Sequence, residues 1–86
     1  MDNIILAKSK AGHDKNHIYV VLKEEGEFFI LANGTTKPIE APKRKKKMHV
    51  QRICHLPDEL VDEISKLSEL DNSTISNIVE LYGRRN

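Results

Sequence analysis

The sequence predicts a mostly β plus α chain, with a small rolled sheet or barrel of about five strands over residues 1–55 and a C-terminal helical hairpin over residues 56–86. Three observations predict it. Apolar residues recur with a period of two in the first half and of about 3.6 from Leu56 onward. Turn-forming residues punctuate the first half at short intervals. Formal charge changes sign at the same boundary: 11 Lys/Arg stand against 6 Asp/Glu up to His55, net +5, and 3 against 7 beyond it, net −4. The overall charge of +1 conceals this polarity.

The first strand is expected over Asn3 to Lys8, NIILAK, where apolar β-branched residues lead. A tight loop, SKAGHDKN, follows over Ser9 to Asn16. Gly12, Asp14 and Asn16 tolerate positive φ there, and Asp14 is expected to cap the loop by accepting from backbone N–H groups. His17 to Lys23, HIYVVLK, is the second strand, with Ile18, Val20 and Leu22 on one face. Glu24-Glu25-Gly26 turns the chain into a third, Glu27 to Ala32. Its adjacent Phe28 and Phe29 point to opposite faces, so one belongs in the core and the other at the surface, with packing under the C-terminal helices favoured over stacking on a base. Asn33-Gly34 predicts a type I′ hairpin that pairs Thr35 to Ile39 back as a fourth strand. Pro38 and Pro42 keep that strand short or at an edge. Met48 to Ile53, MHVQRI, supplies the fifth.

From Leu56 the pattern is helical. Pro57 suits the first helical position, Asp58 and Glu59 suit the positive end of the dipole, and Leu60, Ile64 and Leu67 make one stripe, so a helix is expected over Pro57 to Glu69. Asp71-Asn72-Ser73 interrupts it. Ile75, Ile78, Val79 and Tyr82 resume the stripe until Gly83, an expected C′ stop. Helices this short need their apolar faces packed on each other, on the barrel or on another chain.

Between the halves lies PIEAPKRKKKMHVQR, Pro38 to Arg52, with an unbroken run of five cations from Lys43 to Lys47. Such a run is self-repelling and requires compensation, and a polyanion is the expected source. The segment from Lys43 to Arg52 carries six formal cations. An 86-residue chain buries only about 60–65% of its unfolded surface, which argues against a deep enclosed pocket. No nucleophile–base arrangement, paired catalytic carboxylates or glycine-rich nucleotide loop is present, so no enzyme and no cofactor is expected. His13, His17, His49, His55 and the single thiol of Cys54 do not make a zinc pattern, and no metal is expected. No apolar run exceeds five residues, so no membrane span is expected. The lone cysteine accords with a reducing cytoplasm.

The loop and strand SKAGHDKNHIYVV, Ser9 to Val21, resembles a KOW motif, an element of the small SH3-like barrels found in ribosomal and transcription-elongation proteins. LANG at Leu31 to Gly34, KPIEAPKRKK from Lys37 to Lys46 and HVQ from His49 to Gln51 extend the likeness. Together they are similar to short bacterial KOW-domain RNA-binding proteins related to the fourteenth large-subunit protein of archaeal and eukaryotic ribosomes. The likeness covers Asn3 to Gln51 and, more loosely, SNIVELY at Ser76 to Tyr82. Asn16 stands where the motif carries glycine, Asn3 replaces a glycine at the start of the first strand, and His13 and Lys37 replace arginines. Lysine lacks the bidentate fork of arginine, so these changes bear on phosphate contact more than on fold. The resemblance implies a ribosome-associated protein that binds ribosomal or other structured RNA, with ribosomal proteins as further neighbours; a cytoplasmic monomer is expected. The RNA-facing residues would be Lys10, His13, Lys15 and Asn16 in the loop, Lys37, the run Lys43, Arg44, Lys45, Lys46 and Lys47, and His49 and Arg52. With four aromatic residues in all, recognition is expected to rest on RNA shape and backbone. Changing Lys45, Lys46 and Lys47 to Glu is then expected to abolish binding at nearly unchanged thermal stability.

A second resemblance competes. Arg52 to Tyr82 also looks like a ribbon-helix-helix DNA-binding segment, in which the strand around His49 to His55 pairs with a two-fold mate and Gln51, Arg52 or His55 reads bases in the major groove. That reading requires a dimer and leaves the first forty or so residues unexplained.

Overall fold

The computed structural model describes residues 4–84. Asn3, the expected start of the first strand, and the chain end at Asn86 lie outside the described residues. Five antiparallel strands form one sheet: β1 Ile5–Ser9, β2 Ile18–Glu25, β3 Phe28–Ala32, β4 Lys43–Lys46 and β5 Val50–Ile53. Two helices follow, α1 Asp58–Ser65 and α2 Asn72–Arg84. The strand order is β4-β3-β2-β1-β5, so a meander of four is closed by a fifth strand that returns to the first. A 3₁₀ turn, Lys47–His49, joins the two edge strands. Pairing opposes Leu6 to Val20 and to Ile53, and Val20 in turn to Ala32. A register shift between Val21 and Lys23 marks a bulge that bends β2 and helps the sheet to roll.

Both faces of the sheet are buried, and the period of two sorts side chains between them. Ala7, Tyr19, Phe29, Leu31 and Val50 fill the inside of the roll. Leu6, Val20 and Ala32 point the other way and meet Leu60 and Ile64 of α1 and Ile75 and Ile78 of α2. This second cluster draws on both halves of the chain. Each leucine, isoleucine or valine of the cluster contributes about 1.5–3 kcal/mol relative to full exposure, so short helices are held by packing more than by their own propensity. Of the two adjacent phenylalanines Phe29 is the buried one, but it packs inside the roll and not under the helices.

Several boundaries differ from expectation. Thr35 to Ile39 forms no strand, and the fourth strand is the basic run itself. Asn33 accounts for the difference: its Oδ1 accepts from the backbone N–H groups of Thr35 (3.0 Å) and Lys37 (2.9 Å). The side chain thereby closes a local loop, and only Gly34, with φ +82°, takes the positive φ that a type I′ turn requires at both positions. Met48 and His49 belong to the 3₁₀ turn, which leaves β5 to begin at Val50. Pro57 caps α1 from outside instead of opening it, and its carbonyl accepts from Leu60 and Val61. α1 stops at Ser65, short of Glu69. Leu67 and Leu70 reach the core from the connecting segment, which a continued helix was not needed to achieve. Asp71 starts α2 with a reciprocal cap, accepting from Thr74 N–H at Oδ1 (2.8 Å) while Thr74 Oγ1 accepts from Asp71 N–H (2.9 Å). α2 continues through Gly83 to Arg84, so Gly83 is not its C′ stop.

Candidate functional site

The basic run folds as a strand, and a strand divides its side chains. Lys43 and Lys45 fall on one side of β4 and Arg44 and Lys46 on the other, with alternate residues half-buried and exposed. Lys43 and Lys45 both reach Asp14 in the loop between β1 and β2: Lys43 Nζ lies 3.0 Å from Oδ2 and Lys45 Nζ 2.9 Å from Oδ1. Lys45 also donates to the Ala11 carbonyl at 2.9 Å. Two hydroxyls complete the site, Ser9 Oγ donating to Oδ1 at 2.9 Å and Tyr19 OH to Oδ2 at 2.8 Å. Asp14 is 7% exposed, so its charge is neutralised inside the fold. Its expected role as a cap for backbone N–H groups is therefore corrected, since its carboxylate takes four side-chain partners.

Burial by itself would raise the Asp14 pKa, but the hydrogen bonds from Lys45, Lys43, Tyr19 and Ser9 outweigh it and hold the carboxyl well below the ordinary carboxylate range. Burial, and then the hydrogen bond to Asp14 and its negative charge, push the Tyr19 phenol well above its usual range. A raised phenol stabilises the fold fully below about pH 10 and loses that effect as pH climbs further. Tyr19 is thus expected to form tyrosinate only as the chain unfolds, so a rise in tyrosinate absorbance should coincide with loss of circular dichroism in an alkaline titration. Tyr19→Phe should remove that coincident rise. A Tyr19 signal that precedes unfolding would contradict the arrangement.

The remaining cations have other neighbours. Arg44 lays its guanidinium 3.5 Å from the centroid of the Phe28 ring, with Nε 3.9 Å from Glu25. Lys47 bonds Glu24 at 2.7 Å and Arg52 approaches the same carboxylate at 3.5 Å. The hydrogen bond and charge of Lys47 lower the Glu24 pKa. Four of the five cations from Lys43 to Lys47 therefore have carboxylate partners within the chain. Lys46 is exposed and makes no ion pair among the described residues. Compensation of the run, assigned from the sequence to an outside polyanion, comes largely from Asp14, Glu24 and Glu25.

The loop thus fastened presents Lys10, His13, Lys15 and Asn16, all exposed. Gly12 (φ +87°) and Asn16 (φ +75°) take left-handed conformations, which both residue types tolerate. Asn16 N–H donates to the Ser9 carbonyl and Lys10 N–H to the His49 carbonyl, each at 2.8 Å, which brings exposed His49 beside the loop. Lys10, His13 and Lys15 make no ion pair among the described residues. Lys37 is half-buried and stands apart from this group, in a loop tied to α2 where Asn72 Oδ1 accepts from Ile39 N–H at 2.8 Å and Asn72 Nδ2 holds Glu40. His13 and His17 are exposed four residues apart, yet no group of three or more metal-ligating side chains exists among the described residues.

Sequence reasoning missed Asp14, Glu24 and Glu25 as partners of the basic run, and Ser9 and Tyr19 as partners of Asp14. The available signal was the spacing of Lys43 and Lys45, which in any strand would share one side and require one acidic neighbour. No helix of the described residues is long and apolar enough to cross a membrane. A comparison with protein-family models and with curated proteins finds no match for this chain.

Proposed function

We propose that this chain is a non-enzymatic RNA-binding protein of KOW type, acting as a cytoplasmic monomer that docks on ribosomal or other structured RNA. The docking surface is the loop from Lys10 to Asn16 together with His49, and Lys46 offers a further cation on the other side of β4. One observation carries the reading. A tight loop held in place by a buried, fully partnered aspartate leaves its own lysines, Lys10 and Lys15, exposed and without an ion pair among the described residues. Fixed cations beside backbone N–H groups in left-handed turns suit phosphate oxygens, and a prefolded loop loses little entropy on binding.

The surface differs from the one expected from the sequence alone. Lys45, with its side chain 12% exposed and bonded to Asp14, holds the fold, so reversing it would set a carboxylate against Asp14 and destabilise the chain. The expectation of unchanged stability for Glu at Lys45, Lys46 and Lys47 does not survive that geometry. Lys10→Glu with Lys15→Glu is the informative pair. Affinity for a large-subunit ribosomal RNA fragment, measured by fluorescence anisotropy across a salt series, is expected to fall by more than about tenfold. The slope of log affinity against log salt should shrink by about two. Unchanged affinity would refute this surface. Ultraviolet crosslinking in the native cells tests the partner: a concentrated peak on large-subunit ribosomal RNA supports the reading. Recovery of no RNA, from a dimer that retards duplex DNA, would favour the ribbon-helix-helix alternative.

A further inference from the structure

On the side of β4 turned away from Asp14, Arg44 and Phe28 make a two-layer stack. The guanidinium lies over the ring at 3.5 Å, and the arginine side chain remains 58% exposed. Phe28 pairs with Lys46 in the β3–β4 ladder, and Arg44 sits two residues before Lys46 on the same side of the strand. Beside them Gly26, Glu27, Lys46, Lys47 and Met48 line an open hollow of about 330 Å³. Met48 is 70% exposed, the most exposed large apolar side chain among the described residues.

Arg44 is already near a carboxylate, Glu25, so its offer to a ligand is a flat, polarisable plane more than net charge. A phosphate would meet Glu25 and Glu27 there. A neutral aromatic ring would meet the open face of a planar cation, an apolar Met48 alongside, and one lysine without an ion pair among the described residues, Lys46, for the backbone phosphate of the nucleotide that carries the ring. Nucleobases stack on arginine planes in this way when they are unpaired.

We propose that this patch is a stacking site for one unpaired nucleobase of the bound RNA, with Arg44 as the platform, Phe28 as its support and Lys46 on the adjoining phosphate. It rests on the RNA-binding reading and deepens it: the preferred target is structured RNA carrying a bulged or looped-out nucleotide, not uninterrupted duplex.

The test uses the full chain and two RNA hairpins, one with a single bulged 2-aminopurine and one fully paired with the same stem. The wild type is expected to bind the bulged hairpin roughly 5- to 100-fold more tightly, with a change in the 2-aminopurine emission as the base leaves its neighbours for the arginine. Arg44→Lys keeps the charge and removes the plane, and Phe28→Leu removes the ring beneath it. Each should bring the affinity ratio of the two hairpins close to one and abolish the emission change. Binding of both hairpins with a wild-type ratio near one, or a ratio that Arg44→Lys leaves intact, would overturn the stacking site while the RNA reading stood. Binding of neither hairpin, nor of ribosomal RNA, would remove both.

Discussion

Asp14→Asn is expected to cost about 3 kcal/mol of folding stability, near the lower end of the range for removing one partner of a buried ion pair. The asparagine keeps the shape of the site and deletes the charge that two lysines share. Lys45, 12% exposed, is left with the Ala11 carbonyl and no counter-charge, whereas Lys43, 29% exposed, has an easier route to water and moderates the loss. In a domain of this size the thermal midpoint should fall by roughly 12–24 °C. The pH dependence supplies an independent reading. The unfolded chain binds a proton at Asp14 near the ordinary value of about 3.9, whereas the folded carboxyl resists protonation to much lower pH. Stability from this group is therefore whole above about pH 5 and drains away as pH falls toward the folded value. Denaturant titrations at successive acidic pH values should show that loss in the wild type and a flatter acid limb in Asp14→Asn. A variant that melts within about 2 °C of the wild type would mean that the cluster does not hold the loop.

Gly34→Ala is expected to be comparably damaging for a different reason. Gly34 has φ +82°, and a Cβ added there would come within 2.8 Å of the Ser76 backbone nitrogen and closer still to the Asn72 carbonyl oxygen, both in α2. Backbone cannot give way as a side-chain tip can, so the 33–42 loop must lift from the helix. Gly26→Ala separates the two costs, since Gly26 also has positive φ (+56°) but has nothing within 4 Å of the added carbon. It should lose only the left-handed penalty of about 1–2 kcal/mol. Gly34→Ala should lose at least about twice that, with faster hydrogen exchange at the Ile39 amide that Asn72 holds. Equal losses for the two alanine variants would show that the loop and helix do not touch as described.

The parts of the fold that were legible from the sequence are those in which side-chain period and burial agree. β1, β2 and β3 alternate between two buried faces, and α1 and α2 carry stripes that meet one of them, so periodicity located all five. β4 escaped because an edge strand of lysines and arginine has no apolar alternation to detect; its ordering comes from backbone pairing with β3 and from Asp14, 31 residues before Lys45 in the chain. The Asn33-Gly34 signal misled because an asparagine side chain that bonds the next backbone N–H groups competes with the hairpin that the same dipeptide favours. The candidate site was legible in its loop, where Gly12 and Asn16 fix the backbone and Lys10 and Lys15 stay outside. It was illegible in the basic run, because one dimension shows five adjacent charges and only folding reveals which carboxylates stand opposite them.

The position of β4 at the end of the sheet has one more consequence. Its outer backbone groups form an unpaired ladder edge, the kind of template on which a second chain can add a strand and begin aggregation. A copy of β4 approaching at the usual strand spacing of about 4.8 Å would set lysine and arginine directly against lysine and arginine. Because Asp14 already neutralises Lys43 and Lys45 and Glu25 stands near Arg44, the repulsion that guards this edge against intermolecular zippering rests mainly on Lys46, so acetylation of that lysine or a neutralising polyanion would lower the barrier.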